Sequence, residues 1–159
     1  MFWKKTLSKT LAHENKLRIF GEIDARLSLN ARKIGEMSLE LECFHLISRL
    51  GREVFNGGVE QYLGNSTGNR FQATLNAFHM VEAEGALQWG EQVNALFLNG
   101  QAPENREVRI RKLAELEEAL TPATFEARMT RLTDDLTEMW PEIVEGSSPT
   151  CVEPCSRIQ

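Results

Sequence analysis

The sequence predicts an all-α fold, a single compact bundle of five to seven helices. Three observations lead there. Apolar residues recur at spacings of three and four along most of the 159 residues, which is the period of an α-helix. No stretch alternates apolar and polar residues persuasively, as a half-buried strand would. The apolar runs are also punctuated by helix start and stop signals, namely Asn56-Gly57-Gly58, Asn99-Gly100 and Thr121-Pro122.

Taken in order, residues 1–33 are expected to form a basic N-terminal helical extension. Trp3, Leu7 and Leu11 fall four apart with lysines between them. That pattern reads as a short amphipathic helix packing on the domain, with a membrane-surface or partner-binding helix as the sharper alternative. Leu17, Phe20, Asp24 and Leu27 hint at a second helical stretch. From about Ile34 to Phe55, Met37, Leu41, Phe44, Ile47 and Val54 make a helical stripe that Leu39, Leu46 and Leu50 widen. A wide stripe means burial on more than one side. Asn56-Gly57-Gly58 is expected to end this helix. Val59, Tyr62 and Leu63 make one further apolar turn, and Asn65 to Asn69 is turn chemistry.

Phe71, Leu75 and Phe78 open a helix expected to run to about Glu84 and to break at Gly85. Another should span Leu87 to Asn99, followed by a loop at Gln101–Asn105. Val108, Leu113, Leu116 and Leu120 place a helix over 106–120. Thr121-Pro122 supplies a capping hydroxyl and a proline at the first helical position. The final helix has the clearest period in the chain. Phe125, Met129, Leu132, Leu136, Met139 and Ile143 are spaced 4, 3, 4, 3, 4, and Pro141 is expected to stop or kink it. The helical domain is thus placed at 34–145, and residues 146–159 are expected to be a disordered tail.

Charge is uneven. The chain has a formal net charge of −5, but residues 1–34 hold eight basic side chains against three acidic ones. Residues 115–145 hold nine acidic side chains against Arg128 and Arg131. A basic head is therefore joined to an acidic rear. No apolar run reaches the roughly 20 residues of a membrane-spanning helix, and no apolar signal-peptide core follows Lys4-Lys5, so a cytoplasmic protein is expected without stable membrane insertion. Cys43 reads as a small core residue. Cys151 and Cys155 supply two ligands where a metal site needs about four.

No motif carries recognisable chemistry. His13, His45 and His79 show no metal-pair spacing, and no nucleophile elbow, phosphate loop or dinucleotide fingerprint is present. Carboxylate pairs such as Glu82 with Glu84 and Asp134 with Asp135 fall where a solvated face would be, without the burial that raises a general acid's pKa. The reading is therefore no catalytic residue, no metal and no cofactor. The basic head offers too few aromatic and basic residues to argue for direct nucleic-acid binding.

The segment Asn56-Gly57-Gly58-Val59-Glu60-Gln61-Tyr62-Leu63-Gly64-Asn65-Ser66-Thr67-Gly68, preceded by Glu53-Val54-Phe55, resembles a bacterial domain family of unknown function that includes the DNA-mimic proteins. The family pattern is N-G-G-x-x-Q-[YF] followed by N-[ST]-x-G, and the likeness extends from about Ser38 to Trp140. The resemblance implies an all-helical fold and dimerisation. In the characterised mimics it also implies acidic side chains that copy the phosphate rows of a duplex and occupy the DNA-binding face of a transcription regulator. This chain carries Val59 where the family has an aromatic, places its glycine loosely within Glu82–Ala86, and is less acidic than the mimics.

Two readings of the motif stay open. In the structural one, Gly57, Gly58 and Gly68 shape the backbone, Asn56, Gln61 and Asn65 cap helix ends with Ser66 in the turn, and Tyr62 buries its ring. In the other, a pocket around Gln61 and Tyr62 holds a ligand, making the chain a small ligand-binding domain or enzyme. The leading expectation is a non-catalytic protein-binding module whose partner is a basic protein such as a DNA-binding transcription regulator. Its binding face would be Glu115, Glu117, Glu118, Glu126, Asp134, Asp135, Glu138 and Glu142. An immunity-type protein that neutralises a toxin is the remaining alternative.

Overall fold

The computed structural model describes residues 39–146. The predicted basic extension, Cys151, Cys155 and all of the predicted tail but Gly146 lie outside them. Five α-helices and one 3-10 helix follow one another: α1 Leu39–Gly64, the 3-10 helix η1 Ser66–Arg70, α2 Phe71–Met80, α3 Glu84–Asn94, α4 Arg106–Ala119 and α5 Pro122–Gly146. Among the described residues there is no strand.

Helix α1 lies at the centre because its apolar residues are too many for one face. Phe44, Ile47, Leu50, Val54, Val59, Tyr62 and Leu63 are all buried, and the helix packs on η1, α2, α4 and α5. Its neighbours each supply the single stripe that an amphipathic helix presents to a core. The predicted seam of α5 is that stripe: Phe125, Met129, Leu132, Leu136 and Ile143 are buried, and Met139 packs against them. Trp89 of α3 ties two helices together by burying its indole and donating its N–H to the Leu132 carbonyl at 2.8 Å. Tyr62, Phe71 and Trp89 form an edge-to-face series through the middle, with ring centroids 6.0 Å apart at each step. Cys43 is a core residue as expected, its thiol 3.4 Å from the Met80 sulfur.

Four boundaries differ from the expected ones, each for a local reason. Asn56-Gly57-Gly58 breaks the first helix without ending it. Gly57 and Gly58 leave helical geometry, and Val59 to Gly64 then resume it. The second break comes before Gly85. Helix α2 closes with the Glu82 N–H on the His79 carbonyl and the Ala83 N–H on the Phe78 carbonyl. That is a Schellman closure, with Glu82 at φ +55 where glycine is usual. Gly85 consequently falls inside the first turn of α3.

Helix α3 ends at Asn94 and not at Asn99. The next N–H groups reach back three residues, Leu96 to Val93 and Phe97 to Asn94, which tightens the chain into turns while still burying Leu96 and Phe97. Finally, α5 continues through Pro141 to Gly146. Pro141 and Thr137, whose carbonyl loses its usual donor, both face solvent, so water can satisfy that carbonyl. The other start signals hold: Asn105 caps α4 through the Val108 N–H at 3.0 Å, and the Thr121 hydroxyl meets the Thr124 N–H at 3.3 Å.

Candidate functional site

The Asn56–Gly68 segment is built around Glu53, one turn before the break. Its carboxylate accepts from the Gln61 amide at 2.9 Å and from the Asn65 amide at 2.8 Å. Burial pushes the Glu53 carboxyl up. The hydrogen bonds from Gln61 and Asn65 and the charges of Arg49 and Arg52 outweigh it, so the group titrates below its ordinary value. Gln61 and Asn65 therefore join the two halves of α1 across its break. Gln61 also donates to the Glu53 carbonyl at 3.4 Å just before the break, as a capping side chain would, whereas the Asn65 side chain makes no capping bond to η1. Tyr62 is 1 % exposed, with its hydroxyl 3.3 Å from that of Thr74. Burial pushes the Tyr62 phenol up to about 12. Asn56 and Ser66 stand exposed.

The far end of the segment is held by a residue that the sequence analysis passed over. Arg109 is 0 % exposed yet carries a charge. Its guanidinium donates to the carbonyls of Leu63 at 2.5 Å, Asn65 at 2.8 Å, Pro103 at 2.7 Å and Glu104 at 3.1 Å, and to the Asn69 side-chain oxygen at 3.1 Å. Arg106 adds a bond to the Gly64 carbonyl at 2.6 Å. The carbonyls of Leu63 and Gly64 at the end of α1, and that of Asn65, which also accepts from the Gly68 N–H at 3.2 Å, are thus met by two cations, which also suit the negative end of the helix dipole. Burial lowers the Arg109 pKa from its ordinary value. Gly68 makes the approach possible: a β-carbon there would stand 2.7 Å from the Tyr62 carbonyl oxygen and 2.9 Å from the Arg109 guanidinium.

The glycine break opens onto the acidic side. Gly58 has φ +77 and ψ 179, and the Val59 N–H just beyond it donates to the Thr133 hydroxyl of α5 at 3.0 Å. Outside this contact lies a shallow groove of about 490 Å³, lined by Gly58, Glu60, Glu117, Glu126, Thr130 and Thr133 among others. It has three carboxylates and no basic side chain. Glu126 and Thr130 also line a broader depression with Asp134, Asp135 and Arg131, so the two surfaces are continuous.

Of the predicted acidic face, Asp135 is half-buried and the other seven residues are exposed. Glu115 is engaged by Lys112 at 2.6 Å and lies 3.9 Å from Arg111, and Asp135 lies 3.9 Å from Arg131. Glu117, Glu118, Glu126, Asp134, Glu138 and Glu142 have no ion pair among the described residues. The structure thus separates the two predicted sets. The motif is tied into the fold by Glu53 and Arg109, while the carboxylates cover the outer side of α4 and α5. Glu60 joins the acidic groove although no motif pointed to it. Arg109 did leave a sequence signal: Arg109, Leu113, Leu116 and Leu120 are spaced 4, 3, 4, so a cation occupies an apolar row.

Among the described residues, no group of three or more His, Cys, Asp or Glu side chains is placed to hold a metal ion. No helix there is long and apolar enough to cross a membrane. Fold and site together define a small helical domain with a cross-tied broken helix and a groove lined by three carboxylates. A family model described as DMP19-like protein matches residues 35–145, and the chain belongs to that family. Comparison with curated proteins finds no match, and comparison with solved structures finds none either.

Proposed function

We propose that the chain is a non-catalytic, cytoplasmic protein-binding module that receives a basic partner on the outer surface of α4 and α5. In its sharpest form it is a DNA mimic that occupies the DNA-binding face of a transcription regulator. The observation that carries the reading is the continuity of the acidic surface. The groove beside Gly58 and the depression along α5 share Glu126 and Thr130, and six of the surrounding carboxylates have no ion pair among the described residues.

Spacing supports the mimic form. At about 1.5 Å of rise per residue, Asp134, Glu138 and Glu142 stand about 6 Å apart along α5. Phosphates advance about 3.4 Å along the duplex axis per strand and wind about it, so neighbouring phosphates stand about 6–7 Å apart, and this row corresponds to successive phosphates of one strand. Unpaired carboxylates on a rigid helix attract a basic face at long range and steer its approach.

The test is affinity capture of proteins from the source organism on the immobilised chain at low salt, followed by elution with duplex DNA. A basic DNA-binding protein should be released by the duplex and should be absent from a column carrying Asp134→Lys, Asp135→Lys and Glu138→Lys. Capture of no basic protein, or equal capture by the reversed chain, rules the reading out.

A further inference from the structure

A second surface feature lies on the other side of the motif, away from the acidic groove, and has the opposite charge. Helices α1, η1 and α2 enclose a half-open cavity of about 170 Å³, whose lining includes Arg49, Tyr62, Ser66, Thr67, Arg70 and Thr74. That is smaller than the roughly 300–1,000 Å³ of pockets that take drug-sized ligands. It suits a small ion or one functional group. The lining contains two guanidinium groups and no carboxylate.

Two of its polar groups lack partners. Arg49 makes no hydrogen bond or ion pair among the described residues. The nearby Glu53, whose titration feels the Arg49 charge, is already bonded to Gln61 and Asn65. The Thr67 hydroxyl is shielded from solvent and has no hydrogen-bond partner. Such groups are rare enough in folded proteins that each calls for an explanation. Two of the other hydroxyls are engaged: Thr74 donates to the Arg70 carbonyl at 3.1 Å, and Tyr62 meets Thr74. Arg70 itself is paired with Glu42, so its charge flanks the cavity without being the main donor.

We propose that this cavity binds a small oxyanion, a phosphate or carboxylate group. Arg49 donates two parallel hydrogen bonds to it, and Thr67 donates a third, with the exposed Ser66 hydroxyl at the mouth. This places an anion site beside the motif, independent of the acidic surface and of any partner that binds there.

The experiment is thermal unfolding and calorimetric titration of the full chain with inorganic phosphate and with acetate, against chloride at matched ionic strength. Saturable stabilisation by phosphate, by acetate or by both, beyond that of chloride, is the expected result, and the stronger of the two identifies the group preferred. Arg49→Met should weaken binding at least about tenfold, as loss of a charged hydrogen bond does. Thr67→Val, which keeps the shape, should weaken it severalfold, whereas Arg128→Met on α5 should not change it. No saturable response to either anion overturns the proposal, as does affinity left intact by both cavity variants.

Discussion

Arg109 has a full charge in a place that water does not reach, and four carbonyls and an amide oxygen make this tolerable. Removing the guanidinium strands those acceptors where α1 meets α4. Arg109→Ala should therefore cost about 3–5 kcal/mol, the range for breaking a buried charged network. Arg109→Lys keeps the charge but not the fork of donors, and should cost about 1.5–3 kcal/mol. Both appear as a lower urea midpoint at unchanged slope.

Glu53 gives a pH signature. Its folded pKa lies below its ordinary 4.5, so its contribution is complete above that value and is lost as pH falls through the lower, folded one. Unfolding midpoints measured against pH should drop in that acid window for the native chain and stay flatter for Glu53→Gln, which should be the less stable protein at neutral pH. A pair of curves with the same acid slope contradicts the assignment. Glu53 opens the run that carries the family resemblance, but its role was not legible, because nothing in its spacing says that two amides eight and twelve residues later return to it.

The break in α1 determines what the motif can do. Gly58, with φ +77 and ψ 179, lies in a region that is essentially glycine-only, where other residues cost on the order of 1–3 kcal/mol. A β-carbon there would also crowd the Thr133 hydroxyl at 3.0 Å, the acceptor of the Val59 N–H. Gly58→Ala should destabilise the chain by about that amount. The α2–α3 corner predicts the opposite sign. Glu82 is in the left-handed region that Gly85, inside α3, does not use. Glu82→Gly combined with Gly85→Ala should raise stability by about 1–2 kcal/mol, read from thermal unfolding.

Helices were legible in the sequence because buried stripes repeat every three or four residues. Their ends were less so. The break expected at Gly85 came three residues earlier, at Glu82, and the chain after Asn94 buried Leu96 and Phe97 without remaining helical. In both places tertiary packing outweighed the local signal.

Among the described residues, charged side chains gather at three places. The carboxylates of α4 and α5 frame the groove beside Gly58, Arg106 and Arg109 meet the end of α1, and Arg49 and Arg70 line the small cavity. The carboxylates of α4 and α5 were visible in the sequence because they crowd into 115–145. The cavity was not, since Arg49 and Thr67 come from different elements and become neighbours only when η1 folds back on α1. The two sites also answer to different perturbations: reversing charge on α5 should leave phosphate or acetate binding unchanged.

The most direct test of the central claim follows the affinity of a captured basic partner as salt rises from about 50 mM to 200 mM, the span over which phosphate-like contacts weaken steeply. The native chain should lose affinity steeply. The Asp134→Lys, Asp135→Lys, Glu138→Lys chain should bind at least tenfold more weakly at low salt and show little further dependence. Equal affinity and equal salt dependence for the two chains would contradict it.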